Sequence, residues 1–483
     1  MRLCDIILKE EYISSSIDMQ KTVSKVTADY EECDEETLLV IPGACKNPSL
    51  LYKIHARALL CGADVEVPES IAVIRAKNPR RAAAFVFSRF YNINYDKFKI
   101  IGITGTNGKS STAAFAKCAL EGVGMKIGMI GTGRISIGDE IKSDKYYSMT
   151  TPDPWILYPV LKEMELCGCD CVIMEVSSHA LALEKVAPIP FDVAIFTNLS
   201  PEHLDFHIDM EAYYCEKKKL FYQSKLAIIN VDDYYGRRLS AELVKNKITS
   251  GILWRADVFA TDMESFGFSG GGYIYHGKNF TFKLNLKCAG VFNIYNSMLA
   301  ITAATALGAA PCKVKAALSE LPIIKGRYEI IKGEITVIID YAHTDTAFKN
   351  ILASIGKAKK ADQSLTVVFG CGGERDKTKR PKMAAVAEEH ADEIIVTADN
   401  SRSESIDDII SDIVQGFKKE NFKIIKDRKC AIEYAITRAK SDSIVAIIGK
   451  GAEEYNIDAD GYHNFDERKI INDAIKNRER HVI

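Results

Sequence analysis

The chain has 483 residues, 47% of them apolar and 27% charged, with 63 Lys+Arg against 65 Asp+Glu for a formal charge of −2. At roughly 100–200 residues per domain that is about three domains of ordinary globular composition, which excludes disordered and collagenous classes. The charge balance gives no global drive toward nucleic acid, and no run approaches the roughly 20 apolar residues of a membrane span, so neither nucleic-acid binding nor membrane insertion is expected. Lys9-Glu10-Glu11 arrives too early for a secretory signal. The thirteen cysteines are odd in number and scattered; Cys167, Cys169 and Cys171 alternate and Cys371 follows Gly370, but no zinc spacing results. They read as reduced core thiols of a cytoplasmic protein.

Residues 1–95 hold short apolar stretches, Thr37–Gly43 and Ile71–Ile74, and end in a helical segment, Arg80–Tyr91. The polar run Asn92–Asp96 reads as a linker. From 96 to 325 strands and helices alternate. Phe98–Ile103 is a β-rich run that stops at a Gly-rich turn, and Ser110–Glu121 then reads as a helix. Cys171–Met174, Val193–Phe196 and Leu226–Ile229 are further apolar runs of the kind that a buried parallel sheet needs. Residues 252–290, rich in Gly and aromatics, are expected to form an antiparallel insertion. From 326 to 483 the rhythm resumes with Thr336–Ile339, Thr366–Phe369, Ile394–Val396 and Ile444–Ile448. The fold class is therefore α/β with three domains: a small N-terminal α/β domain, a central P-loop domain on a parallel sheet, and a C-terminal Rossmann-like domain. Ligands are expected at the carboxyl ends of the strands.

The strongest local signal is Gly102-Ile103-Thr104-Gly105-Thr106-Asn107-Gly108-Lys109-Ser110-Ser111, between a predicted strand and a predicted helix. Glycines let backbone N–H groups turn toward phosphate, and the helix N-terminus adds positive potential. Lys109 can reach the β- and γ-phosphates, and the Ser110 hydroxyl can bind Mg²⁺. The spacing is not the strict GxxxxGK[ST], since Ile103 stands at its first glycine. Such a loop indicates ATP or GTP without saying what is done with it.

Thr104–Ser111 resembles the TGTNGK(T/S)(T/S) loop of the Mur ligases, ATP-dependent amide-forming enzymes of peptidoglycan precursor synthesis. The resemblance is strong over about 98–230 and again over 326–470. It is greatest to the MurE type, which joins a diamino acid to a UDP-MurNAc dipeptide. It implies ATP-binding positions at Gly105, Thr106, Asn107, Gly108, Lys109, Ser110, Ser111, Asn293, Arg327, Asp340 and His343. Met174-Glu175-Val176-Ser177-Ser178-His179 resembles MEVSSH and implies Glu175 as a Mg²⁺ ligand, although a lone strand-end Glu is usually a solvated residue. Asn198–Asp205 resembles TNLxxDHLD and implies His203 at a second Mg²⁺. Met210–Phe221 resembles MExYxxAKxxLF and implies Lys217 as a lysine carbamylated by CO₂. Read alone, Lys217-Lys218-Lys219 would be a solvated basic face. Lys109, Lys217, Glu175 and His203 form the implied catalytic set.

Thr150, Thr151 and Ser177 resemble positions that contact the UDP-muramyl-peptide, and Lys185 stands where the family often has Arg. In the third block, Gly370–Pro381 resembles GCGGDRDxxKRP, with Arg375 toward a carboxylate of the incoming amino acid. Asp399-Asn400-Ser401-Arg402 with Glu404 resembles DNPRxE, the box that reads meso-diaminopimelate, and Gly449 and Glu453 fall in a GKGHE-like run. The implied partners are the UDP-peptide and amino-acid substrates of a monomeric enzyme. Several positions depart from the pattern: Ser401 replaces Pro, Ala452 replaces His, Leu183 replaces a frequent polar residue, and Val26–Glu31 stands where a DSR signature is usual. Competing readings are a lysine-adding relative, a folylpolyglutamate-synthetase-like ligase, a small-molecule kinase and a non-catalytic paralogue.

Overall fold

The computed structural model describes residues 1–45, 48–141, 149–244 and 246–481. The first sheet comprises β1 (Tyr12–Ser15), β2 (Lys25–Thr27), β3 (Thr37–Val40), β4 (Ala58–Cys61) and β5 (Val73–Ala76), in the order β1-β5-β4-β3-β2. β2 to β5 pair in parallel and β1 closes one edge antiparallel. Every residue of β3 and β4 is buried, as a strand covered on both faces requires. The helix Pro79–Phe90 follows, capped by the Asn78 side chain, which accepts from Arg81 N. The chain then turns through Asn92 (φ +46°) and a short 3₁₀ turn, Tyr95–Lys97, at the expected linker.

The second sheet holds β6 (Lys99–Thr104), β7 (Ile127–Gly131), β8 (Arg134–Ile137), β9 (Glu140–Ile141), β10 (Cys171–Glu175), β11 (Phe191–Phe196), β12 (Ser224–Asn230), β13 (Lys247–Gly251), β14 (Val258–Ser265), β15 (Gly271–His276) and β16 (Thr281–Leu286). Its order is β16-β15-β14-β13-β12-β11-β6-β10-β7-β8-β9, with β6 flanked by β10 and β11 in parallel register. The stretch 252–290 holds the expected antiparallel strands, and they are continuous with the central sheet. β14 pairs in parallel with β13, and β15 and β16 continue antiparallel from it, so the backbone ladder simply extends the central sheet. Side chains alternate between two cores: Ile100, Val172 and Ala194 face one, while Ile101, Ile173 and Val193 face the other. The first of these cores is continuous with that of the N-terminal sheet through Leu3, Leu38 and Phe87.

The third sheet has β17 (Glu329–Lys332), β18 (Thr336–Asp340), β19 (Leu365–Phe369), β20 (Glu393–Val396), β21 (Phe422–Ile424) and β22 (Ile444–Ile448), in the order β17-β18-β22-β19-β20-β21. All pairs but β17–β18 are parallel. Ile338 packs with the helices Asp345–Ala358, Lys379–His390 and Ile406–Val414, while Val337 and Ile339 pack with Arg428–Arg438 and Glu467–His481. A two-stranded ribbon, β23 (Tyr455–Asp458) and β24 (Gly461–Asn464), follows β22. All thirteen cysteines are free thiols. No helix among the described residues is long and apolar enough to cross a membrane.

Arg428 ties the last helix to this sheet. Its Nε donates to Glu467 Oε1 at 2.7 Å, with both side chains only 2% exposed. Its Nη1 and Nη2 donate to Ala398 O at 3.3 Å and Ile448 O at 3.1 Å, the carbonyls just after β20 and at the end of β22. Removing one member of a buried pair leaves an uncompensated charge, so Arg428→Met should lower unfolding stability by about 3–5 kcal/mol. Urea unfolding followed by circular dichroism measures this; a loss under about 1 kcal/mol would mean that water reaches Glu467.

Candidate active site

β6 delivers the glycine loop to the carboxyl edge of the sheet. Gly105 has φ +147°, and a Cβ there would lie 1.9 Å from Thr197 Oγ1, so only glycine fits. The loop is stitched to the turn after β11. Thr106 N donates to Asn198 O at 2.8 Å, Asn107 N to Asn198 Oδ1 at 3.0 Å, and Thr197 Oγ1 to Asn107 O at 2.7 Å. The helix Lys109–Glu121 starts directly after Gly108. Lys109 Nζ donates to Gly105 O at 2.9 Å and Thr106 O at 2.8 Å. From the helix Met210–Tyr222, Lys217 Nζ, 1% exposed, donates to the same Gly105 O at 2.9 Å. Burial lowers both ammonium groups, Lys217 well below the usual lysine range, and Lys109 pushes Lys217 down further.

Glu175 ends β10 beside the loop. Ser110 Oγ donates to its Oε2 at 2.9 Å, and Thr132 N and Oγ1 each donate to it at 3.2 Å. Arg327 Nη2 donates to Ser110 Oγ at 2.9 Å while its guanidinium lies 4.2 Å from the Tyr341 ring centroid. Glu202 is a buried carboxylate between two imidazoles, 2.8 Å from His343 Nε2 and 3.8 Å from His203 Nε2. Burial works to raise its pKa, but His343 and His203 hold it well below the usual carboxylate range. His203 itself (φ +56°) is lowered to about 3, chiefly by burial, and His179, whose ring meets it edge-on at 4.8 Å, to about 4. Ser110, Glu175 and a neutral His203 are donors suited to a hard divalent cation that keeps water and phosphate in its other positions. Among the described residues no three His, Cys, Asp or Glu side chains form a closed metal cage.

Beyond Glu175, Thr151 Oγ1 donates to Glu175 O at 2.9 Å and accepts from Ser177 N at 3.0 Å, while Thr132 and Thr150 hydroxyls meet at 3.0 Å. Lys185 Nζ pairs with Asp153 at 2.7 Å. Opposite stand the loops of the third sheet. Asp340 Oδ1 accepts from Ala342 N at 2.7 Å and Oδ2 from Tyr328 N at 2.6 Å, and burial raises its pKa. Lys450, fully buried, donates to Asn400 Oδ1 at 2.8 Å and Tyr455 O at 2.7 Å, while Asn400 Nδ2 donates to Glu453 Oε2 at 2.9 Å. Burial raises Glu453; it works the same way on Asp399, but Lys450 and Arg428 outweigh it and keep that carboxylate low. Arg402 Nη1 donates to Gly373 O at 2.8 Å.

Most of these groups line one cavity of about 1110 Å³, bounded on one side by the glycine loop and on the other by Arg375, Asp399, Arg402, Gly449 and Glu453. Four expected site residues lie outside its lining: Gly105, Lys217, Ser401 and Asn293. Gly105 and Lys217 sit just behind it. Asn293 is buried with its Nδ2 donating to Ala289 O at 2.8 Å. Asn296, one turn along the same helix, reaches the cavity instead, and its Oδ1 accepts from Thr112 Oγ1 at 3.3 Å. Glu202 and Thr132 escaped the sequence reading. Glu202 stands next to His203 in Asn198–Asp205 and carries no separate signature, and Thr132 follows β7 with no chemical signature of its own.

Residues 103–304 match the family model described as Mur ligase middle domain, and 326–451 match that described as Mur ligase, glutamate ligase domain. The chain is 39% identical over 434 residues to a UDP-N-acetylmuramoyl-L-alanyl-D-glutamate–2,6-diaminopimelate ligase of Clostridium acetobutylicum, covering 87% of this chain and 88% of the relative. It is 36% identical over 487 residues to the ligase of the same name from Clostridium botulinum, covering 98% and 99%. A solved structure of a ligase with that name superposes with TM-score 0.69 at 23% identity over 99% of both chains. A folylpolyglutamate synthase of Mycobacterium tuberculosis superposes at 0.64 with 16% identity, covering 77% of this chain and 92% of that one.

The lowered imidazoles set a pH signature. Between about pH 4 and 6.5 the unfolded chain binds more protons at His179 and His203 than the folded chain, so their contribution to stability falls as pH is lowered through that window. Proton NMR of the ligand-free protein should show both rings neutral at pH 5.5; normal titration of these rings near pH 6.5 would contradict the burial argument.

Proposed function

The chain belongs to the Mur ligase family, and from that premise we propose that it is an ATP-dependent ligase adding meso-diaminopimelate to UDP-N-acetylmuramoyl-L-alanyl-D-glutamate in peptidoglycan precursor synthesis. The observation that carries the reading is one cavity with a phosphate loop on one wall and a paired set of guanidiniums and carboxylates on the other. On this reading, residues 1–95 hold the UDP-sugar, 96–325 bind ATP and 326–483 bind the amino acid. On the same reading the enzyme acts as a monomer in the cytoplasm.

The acceptor's carboxylate attacks the γ-phosphorus of ATP; ADP leaves and an acyl phosphate forms. The amine of the amino acid then attacks the acyl carbon, phosphate departs with the C–O electron pair, and the nitrogen loses a proton. Lys109 and the loop N–H groups after Gly105 neutralise the phosphates, and Arg327 is positioned at Ser110 to add a further cation. Thr150, Thr151, Ser177 and Lys185 face the acceptor. Two Mg²⁺ ions, held by Ser110 and Glu175 and by His203 with a carbamate of Lys217, would supply positive charge to the phosphate oxygens. The buried, lowered amine of Lys217 fits that modification, because the neutral form is the one that adds CO₂ and the product replaces a strained cation by an anionic oxygen donor. Arg375 and Arg402 suit carboxylates, and Asp399 with Glu453 suits the distal ammonium of a diamino diacid. An amino acid lacking the distal carboxylate would leave one guanidinium unpaired in a half-buried site.

The test supplies ATP, Mg²⁺ and UDP-MurNAc-L-Ala-D-Glu with meso-diaminopimelate, L-lysine or L-ornithine in separate reactions, and weighs the products by mass spectrometry. The diaminopimelate adduct should form at least about tenfold faster than the others, the minimum expected for roughly 1.4 kcal/mol of discrimination by an unpaired charged group. Preferential addition of L-lysine would contradict the assignment of Arg402.

A further inference from the structure

Arg375 and Arg402 sit on two different loops, one after β19 and one after β20, and both loops are built on backbone that needs outside support. Glu374, immediately before Arg375, has φ +53°, and Arg402 has φ +54°, a region that non-glycine residues occupy only when their surroundings hold them there. The loops lie back to back: Gly373 N donates to Asn400 O at 2.9 Å, and a Cβ on Gly373 would lie 1.9 Å from Ser401 O. Beneath them is Arg380, whose side chain is 0% exposed. Its Nη1 donates to Glu404 Oε1 and Asp412 Oδ2, both at 2.8 Å, and its Nη2 to Glu404 Oε2 at 2.8 Å and Gly372 O at 3.2 Å. Glu404 Oε2 also accepts from Glu374 N at 2.9 Å, and Lys377 pairs with Oε1 at 2.8 Å. One planar guanidinium therefore grips the carbonyl of the first loop and, through a bidentate carboxylate at the end of the second, the backbone N–H of the strained residue beside Arg375.

We infer that Arg380, acting through Glu404, is the positioning residue that sets the spacing of Arg375 and Arg402 and so the selectivity for an amino acid bearing a second carboxylate. The inference rests on the ligase reading above. Arg380 is absent from the cavity lining. Lysine offers a point charge where a guanidinium fork donates to four acceptors, so it cannot replace the fork.

The test compares the native chain with Arg380→Lys and Glu404→Gln. It measures steady-state KM for meso-diaminopimelate, ATP and UDP-MurNAc-dipeptide, together with ADP release when hydroxylamine replaces the amino acid and traps the acyl phosphate. Misplacing a binding group by about an ångström can cost up to about 10²-fold. Arg380→Lys should therefore raise the KM for meso-diaminopimelate about 10- to 100-fold and lower the diaminopimelate-to-lysine preference. The KM for ATP and hydroxylamine-dependent ADP release should stay within about twofold of native. Glu404→Gln, which keeps the side chain's size, should shift the same two quantities in the same direction and decides the matter if the first variant does not fold. An unchanged KM and preference in the folded variants, or an equal rise in all three KM values, would overturn the inference. A native chain that releases ADP to hydroxylamine but adds no amino acid would instead sink the ligase reading.

Discussion

Two amines share one carbonyl oxygen at the centre of this molecule. Lys109 and Lys217 both donate to Gly105 O at 2.9 Å; Lys217 is buried, while Lys109 lines the cavity. Burial lowers the Lys217 ammonium, and a second amine this close lowers it further. The carboxylates that face them, Glu175 and Glu202, are already engaged by Ser110 and Thr132 and by His343. A phosphate bound at the loop would add a further anion beside Lys109. The central sheet supports this arrangement: β6, β10 and β11 end side by side and deliver the glycine loop, Glu175 and the Thr197–Ser200 turn to one edge.

The parts that a sequence displays are those where local geometry restricts residue type. The loop Gly102–Ser111 is legible because its turn admits little except glycine and its chemistry needs Lys109 and Ser110. The central strands are legible because burial on both faces demands continuous apolar runs. Lys217 shows the opposite case. In the triplet Lys217–Lys219 nothing marks one lysine as different, yet the 100° step of the helix turns it inward with Tyr213, Tyr214, Leu220 and Phe221 while Lys218 and Lys219 reach Glu242 and Glu216 at the surface. Without the family resemblance its burial would have been missed. The edge strand β1, largely exposed, carries no apolar run to announce it. Whether β14 joined β13 or stood apart was a matter of backbone pairing, which side-chain alternation does not encode. The Glu202–His343 pair and the burial of Arg380 depend on elements far apart in sequence, beyond the reach of local pattern.

The third sheet stands close to the first wall of the cavity, not remote from it. His343 meets Glu202 across the two units, and Arg327 meets Ser110. A site assembled from two units can shield a reactive acyl phosphate from water while it awaits its amine. It also separates chemistries: the central unit contributes lysines and small hydroxyls to the cavity, and the third contributes guanidiniums on braced loops. Arg428 and Arg380, both buried, anchor those loops from opposite faces of the third sheet.

The central chemical step is transfer of the terminal phosphoryl group to a carboxylate oxygen, its charge neutralised by Lys109 and the loop N–H groups. Acceptor labelled with ¹⁸O in that carboxylate tests it most directly. After turnover, one labelled oxygen per product molecule should appear in the inorganic phosphate, read by mass spectrometry. Phosphate that carries no label from the acceptor would contradict the account.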